Sequence, residues 1–478
     1  MTDALLGTRA LRSLLGDWKD GGGPLYQALY DRIRLLVLDG RIPAGTRLPA
    51  ERELAQALEV SRTLVTSAYR ELREGGYTTS IRGSGSVTRV PGRANLAVDA
   101  VGGFLDFTKA IMPASPGIAL ATQRSMDDFG RYLQGPGYNF EGIPELREAV
   151  AARYTVRGLP TTPDQILVTT GAQSAIALLS RVLLARGDRA LVELPSYPHA
   201  YEALAQAGAR LVPVSVTPGE GWDESALEQL MRRTNPALGY LMPDFHNPTG
   251  ESMPAELRER TIDLATRAGT TLLVDETSGE LDIDREGSLL PFASYATPGD
   301  ERSVVTIGSV GKTIWDGLRV GWIRAEPGLI RTLAAARPSS DLGTPVLEQL
   351  IVTRMLPDMP LILDGRREQL REGRDRLEQI IDERFPAWSA PRVAGGIASW
   401  VGLGSAVSSQ LALAARAEGL LITAGPRFGL DGALERFLRI PLGYPTAQLE
   451  QGMDALGRAW QAIMRNPMPG AQAFGDVA

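Results

Sequence analysis

The sequence predicts an α/β protein in two unlike parts: a small, basic, mainly helical module ahead of a large acidic body built on a parallel sheet. Three observations lead there. Between Pro24 and Val90 ten arginines face seven acidic residues, a formal charge of +3, which leaves −9 on the remainder of a chain whose total is −6. Beyond residue 103, short β-branched runs (Ile166 to Thr169, Leu272 to Val274, Val304 to Ile307) alternate with longer helical stretches, the pattern of a helix-covered parallel sheet. Between the two parts, PGRANLAVDAVGG lacks apolar periodicity and reads as a linker of moderate flexibility from Pro91 to about Gly103. At about 150 residues per domain, the 478 residues suggest roughly three units, with 44% apolar residues to fill a large core.

Composition excludes most familiar chemistries. Cysteine is absent and His199 and His246 are the only histidines, so Cys-based zinc sites, iron–sulfur clusters, thiol nucleophiles and disulfides are ruled out, and a serine-type triad has two histidines to draw on. No metal site is expected. In MTDALLGTR, Asp3 and Arg9 flank too short an apolar stretch for a signal peptide, so a cytoplasmic location is expected. The longest uncharged run, the 23 residues from Val393 to Ala415, is interrupted by four Gly, four Ser and Gln410, and reads as a buried strand and helix rather than a span. Of the 50 basic residues only Lys19, Lys109 and Lys312 are lysines, so chemistry that needs a primary amine has three candidates.

In the basic module, Leu25, Leu29, Ile33 and Leu36 recur at helical spacing up to Asp39-Gly40. Pro49 is expected to open a second helix, AERELAQAL, and a tight connection through Glu59-Val60 leads to Ser61, a good N-cap for a third helix, RTLVTSAYRELR. There Leu64, Val65, Ala68 and Leu72 can face a core, while Arg62, Thr63, Thr66 and Arg70 fall opposite, residue types that reach phosphates and base edges in a major groove. YTTSIRGSGSVTRV then reads as a hairpin turning at Arg82-Gly83-Ser84-Gly85, with a basic tip able to enter a minor groove. Ahead of all this, Leu11, Leu14, Leu15 and Trp18 form an apolar stripe, expected to be a helix packed on the module or on a partner subunit. The run from AGTRLPAERELAQALEVSRTLVTSAYREL through the hairpin resembles the winged helix-turn-helix of the GntR regulators. That resemblance implies that Arg47, Arg52, Arg62, Thr63, Arg82 and Gly83 contact double-stranded DNA; at Thr66 many of the family carry an arginine instead.

The body carries what a covalent aldehyde cofactor requires. Lys312 lies in TIGSVGKTIWDGLRVGW, just past a β-branched strand, in a small-residue loop where its amine can be desolvated and made nucleophilic. Asp275 ends the strand TLLVD, where α/β sheets place ligand groups, and a carboxylate there can keep a pyridine nitrogen protonated. Asn247 in PDFHNPTG can donate to a ring oxygen. Gly171, Ala172 and Gln173 follow the strand ILVTT and open a helix, offering N–H groups to a phosphate that Ser309 and Arg319 can also reach.

Taken in order, YNFEGIPELREAV, TTGAQSAI, ELPSYP, PDFHNPTG, LLVDE, GSVGKT, GLRVGW and FLRIPLG resemble the fold-type I aminotransferases. The resemblance implies a large α/β domain, a smaller C-terminal α+β domain and pyridoxal 5'-phosphate as cofactor. It makes Lys312 the Schiff-base lysine, Asp275 the pyridine partner, Asn247 the O3′ partner, Tyr197 a ring-stacking aromatic, Tyr138 a phosphate contact across a dimer interface and Arg439 the clamp for an effector or substrate carboxylate. One departure stands out: where the family carries a tyrosine two or three residues after the aspartate, DETSGEL has Thr277 and Ser278, so at most weak transamination is expected. A GntR head on such a body resembles the MocR subfamily, whose members imply a regulator that senses an amine, an amino acid or the cofactor itself, as a head-to-tail homodimer. The alternatives are a working aminotransferase with an autoregulatory head, and a cofactor-free dimerisation scaffold. The expected division is 1–23 as an arm, 24–90 as the head, 91–104 as linker and 105–470 as the effector body.

Overall fold

The computed structural model describes residues 6–16, 18–19, 24–38, 41–42, 45–81, 85–89, 104–285, 290–430 and 432–465. The predicted linker from Pro91 to Gly103, the Asp39-Gly40 helix stop and the wing tip with Arg82 and Gly83 lie outside them.

The head contains α1 (Thr8–Leu15), α2 (Leu25–Leu38), α3 (Glu51–Leu58), α4 (Arg62–Glu74) and a hairpin of β1 (Thr78–Ile81) and β2 (Gly85–Thr88). One apolar cluster joins Leu11, Leu15 and Trp18 to Leu29, Ile33, Leu36, Leu54, Val65 and Leu72, so the N-terminal stripe is part of the head's own core. Leu25 is the member of the predicted stripe that stays exposed. The predicted helix AERELAQAL runs from Glu51 to Leu58 with Ala50 as its N-cap, just past Pro49, whose carbonyl accepts the buried Tyr69 hydroxyl at 3.0 Å.

The body opens with β3 (Leu105–Asp106), α5 (Ile118–Tyr132) and α6 (Pro144–Val156). Alternation then sets in: β4 (Ile166–Thr169), α7 (Ala172–Leu183), β5 (Arg189–Leu194), α8 (Pro198–Gln206), β6 (Arg210–Thr217), β7 (Gly221–Trp222), α9 (Glu224–Thr234), β8 (Leu238–Leu241), α10 (Ala255–Ala268) and β9 (Thr271–Asp275). Next come β10 (Val304–Ser309), β11 (Gly321–Arg324), α11 (Pro327–Ala336), α12 (Val346–Met355) and α13 (Met359–Arg384). The C-terminal part adds β12 (Ala398–Gly402), α14 (Ser408–Ala417), β13 (Leu420–Leu421), β14 (Phe437–Pro441) and α15 (Thr446–Arg465).

Eight strands form one sheet in the order β4-β11-β10-β9-β8-β5-β6-β7. Its centre, from β10 to β6, is parallel, and both faces are apolar, as buried parallel strands require. The sheet is mixed rather than wholly parallel: β11 runs antiparallel to β10 and β4, and β7 to β6. The connection from β10 to β11 is too short for a crossover helix, so the chain must return antiparallel and leaves a tight loop around Lys312 at the sheet's edge.

A second core gathers α13, α14 and α15 over the antiparallel β12–β14 pair, the smaller C-terminal unit. The uncharged run from Val393 lies in it as β12 and α14, and no described helix is long and apolar enough to cross a membrane. The head touches this unit through Arg32 of α2, whose Nη1 lies 3.6 Å from Glu435 Oε1. The same carboxylate accepts from the Ser409 amide at 3.0 Å at the start of α14.

Candidate cofactor and effector site

Parallel strands β8, β9 and β10 end at one edge, and the loops beyond them bring chemistry to that edge. A cavity of about 420 Å³ there is lined by Lys312, Asp275, Asn247, Ala172, Gln173, Tyr197, Ser309, Arg319 and Arg439. These nine predicted residues come from segments spread over most of the body and meet in one place.

Lys312 sits in a single wide helical turn, Gly311–Trp315, straight after β10. Its ammonium donates to the Ala110 carbonyl at 2.9 Å and lies 3.7 Å from Asp316 Oδ2. Burial lowers its pKa, Asp316 opposes that, and the nearby Arg439 and Arg319 add to the lowering. Asp275 is buried at the end of β9, which raises its pKa; the Thr277 amide, donating to Oδ1 at 2.9 Å, and the Tyr240 hydroxyl, donating to Oδ2 at 2.8 Å, pull the other way.

At the start of α7, Gly171 precedes the helix with φ of +81°, and the Arg319 guanidinium lies against it. Arg319 is itself held by Asp316 Oδ1 at 2.8 Å. Ser309 donates to the Val320 carbonyl at 3.1 Å and accepts from the Gly311 amide at 3.1 Å. The first N–H groups of α7 and this arginine could together receive an anion. Tyr197, half-buried, has its phenol pushed up to about 12 by burial and by Asp275 and Asp316.

Arg439, on β14, comes from the smaller unit. Burial pushes its guanidinium down to about 10; it donates to the Thr108 carbonyl and lies 5.0 Å over the Phe428 ring. Asn247 Oδ1, Gln173 Oε1 and Arg439 Nε are buried with no hydrogen-bond partner. Buried polar atoms normally find partners, so these point to a polar occupant. A phosphorylated pyridine aldehyde fits the set: an amine, a buried carboxylate, an orphaned amide and an anion cradle.

Tyr138 lies apart from the cavity, 63% exposed. The sequence does not assign Thr108, Lys109, Ala110 and Ile111, from the segment after β3, or Asp316, Met242, His199 and Ile397 to this site, yet all eight line the cavity. Only the scarcity of lysine had drawn attention to Lys109, which pairs with Asp106 Oδ2 at 3.0 Å in the cavity wall. Thr277 and Ser278 also line the cavity, where the family's phenol would come.

On the head, Ser61 caps α4, its hydroxyl accepting from the Leu64 amide at 3.2 Å. Val65, Ala68, Tyr69 and Leu72 are buried, whereas Arg62, Thr63, Thr66 and Arg70 are exposed, as is Arg52 on α3. Thr66 donates to Glu51 Oε2 at 2.7 Å. Arg47 pairs with Val87 of the hairpin in a β-bridge, which places it beside the wing.

Residues 106–456 match the model of the aminotransferase class I and II family, and residues 25–87 match that of the gntR family of bacterial regulatory proteins. The chain belongs to the aminotransferase class I and II family. With its gntR head it is a regulator of the MocR subfamily. This MocR-type regulator is 30% identical over 348 residues to the probable rhizopine catabolism regulatory protein MocR of Rhizobium meliloti, covering 65% of this chain and 67% of that one. It is 26% identical to the uncharacterized HTH-type transcriptional regulator YisV of Bacillus subtilis over 92% of its own length and 97% of the relative's. Its body is similar to the crystal structure of LysN, an α-aminoadipate aminotransferase from Thermus thermophilus complexed with N-(5'-phosphopyridoxyl)-L-leucine. The TM-score is 0.70 at 28% identity, covering 77% of this chain and 94% of LysN.

Proposed function

We propose that this regulator binds pyridoxal 5'-phosphate in its body and uses it to sense a small amine or amino acid, changing the grip of its head on operator DNA. The observation that carries this reading is the meeting of Lys312, Asp275, Asn247, Arg319 and Arg439 in one cavity. When bound, the cofactor supplies an aldehyde carbon that amines hold reversibly and a ring that withdraws electrons.

Lys312 would hold the aldehyde carbon; its lowered basicity keeps more of the amine neutral and nucleophilic near neutral pH. Asp275 would hold the proton of the ring nitrogen, Asn247 the ring oxygen, and Tyr197 would pack against the ring. Gly171, Ala172 and Gln173, with Ser309 and Arg319, would hold the phosphate. Arg439 would clamp an effector carboxylate as a charge-assisted fork, its interaction strengthened by burial. Whatever the effector, it shifts DNA binding only by its difference in affinity for two arrangements of the chain. In a head-to-tail homodimer the exposed Tyr138 would reach the other subunit's phosphate site, and two heads would read two half-sites. Arg47, Arg52, Arg62 and Thr63 would contact the DNA, with Arg82 and Gly83 at the wing tip.

Retention of Arg439 beside a complete lysine and aspartate set also favours a second reading, an active aminotransferase. Thr277 and Ser278 weigh against it, because no phenol stands there to share the ring oxygen with Asn247.

Spectral titration of the purified protein with a panel of amines and amino acids separates these readings. A shift that stalls supports the sensor; steady turnover with a keto acid supports the enzyme; a colourless protein that stays colourless with added cofactor overturns both. Lys312→Ala is expected to lose the visible absorbance and the effector response while keeping DNA binding. Unchanged absorbance would refute the lysine assignment.

A further inference from the structure

Resting on the cofactor reading above, we propose that Tyr240 is a positioning residue, whose buried phenol holds the Asp275 carboxylate and so sets how firmly the pyridine nitrogen of a bound cofactor keeps its proton.

Tyr240 lies within β8, fully buried, and pairs in register with Leu273 of β9. Asp275, two residues beyond Leu273, points to the same face, so the phenol reaches it diagonally across the two strands. The hydroxyl donates to Asp275 Oδ2 at 2.8 Å, while the Thr277 amide donates to Oδ1 at 2.9 Å. Packing alone would be served by phenylalanine; a buried tyrosine needs a partner for its hydroxyl, and here that partner is the carboxylate.

Other charged groups surround the pair. Glu193 of β5 is buried beside it, but its oxygens accept from Trp222 Nε1 at 2.7 Å and from the Met242 amide at 2.9 Å, with His246 Nε2 at 3.3 Å. Tyr197, Lys312, Arg319 and Arg439 line the cavity with Asp275. Burial and the Asp275 charge drive the Tyr240 phenol well above its ordinary pKa, so it acts as a fixed donor. The Thr277 side chain bonds the carboxylate as well, and with three donors on about four lone-pair sites it can still accept from a protonated ring nitrogen.

Removing the hydroxyl leaves a buried carboxylate with one donor fewer, hence a stronger base. Asp275 would then compete more strongly for the proton of a bound pyridine nitrogen, and a cofactor held at Lys312 would withdraw fewer electrons. Full-length Tyr240→Phe loaded with pyridoxal phosphate should therefore show its visible band titrating at a pH higher by about half to one unit. Its cofactor affinity should fall about tenfold. In an Asp275→Ala background the same change should shift neither quantity further, because the phenol has lost its target.

An unchanged midpoint in Tyr240→Phe overturns the proposal, as does a full additional shift in the Asp275→Ala background. If Tyr240→Phe fails to fold but the double variant folds, the pairing is supported, since removing both partners relieves the bare carboxylate. Loss of folding in both overturns it, because the hydroxyl would then serve the core. A parent protein that takes up no cofactor refutes the cofactor reading itself, a result distinct from a loaded parent and variant with equal midpoints.

Discussion

Gly171 shows how closely single residues are fitted at the start of α7. Its φ of +81° is one that L side chains rarely adopt, and an added Cβ would stand 2.7 Å from Arg319 Nη2. Backbone strain of about 1–3 kcal/mol, with displacement of the guanidinium, should weaken cofactor binding at least about tenfold in Gly171→Ala. Following the visible band during titration with pyridoxal phosphate measures this, and an equal affinity would show that the cradle lies elsewhere. Lys312 gives a pH test without ligand. Its folded pKa is lowered, mainly by burial, so above that value the unfolded chain binds the extra proton, and stability rises with pH until the unfolded lysine titrates near about 10.4. Lys312→Met lacks that gain. Relative to the variant, the parent's melting temperature should therefore climb across the alkaline window; a constant difference would contradict the lowered pKa.

At the scale of elements, α4 joins its fold to its function through one periodicity. Val65, Ala68 and Leu72 bury one side of it, which forces Arg62, Thr63 and Thr66 outward. Arg62 is 71% exposed and 3.9 Å from Glu51, a distance at which an exposed pair contributes little, so its guanidinium is available to DNA. Arg62→Ala should abolish specific operator binding in a mobility-shift assay while the cofactor absorbance stays, whereas Ser61→Ala should cost the head about 1 kcal/mol through the lost cap. The antiparallel β11 belongs to the same scale. Its residues spell a buried strand, but its direction follows from the shortness of the loop that carries Lys312.

For the whole molecule, the separation of charge is the governing feature, with +3 on the head against −9 on the rest. An acidic body repels DNA, so under the proposed function binding would rest on arginines of the head neutralising phosphates. Raising salt from about 50 to 200 mM should then weaken operator binding by about a thousandfold for a dimer with some six phosphate contacts, with a linear log–log slope. A flat salt response would argue against the arginine interface. Among the described residues the ion pair between head and body is Arg32 with Glu435, at partial exposure, a contribution of about 1 kcal/mol or less. Glu435 precedes Arg439 by four residues, with β14 beginning between them, so Arg439 and the head contact share one short stretch of chain.

The sequence by itself determined what is local. Helical stripes, the Ser61 cap, the strand ends carrying Asp275 and Ser309, the glycine before α7 and the loop around Lys312 are each written in a few consecutive residues, because period, turn chemistry and strand termination act over that range. Tertiary structure alone decided what depends on distant segments meeting. It brought Thr108 to Arg439 and Ala110 to Lys312, although 331 and 202 positions separate them, set the Tyr240 phenol on Asp275, and left Tyr138 at the surface. A backbone carbonyl has no residue type to announce it, and a tyrosine reads as core whether or not its hydroxyl has work, so such partners become visible only once the strands are in register.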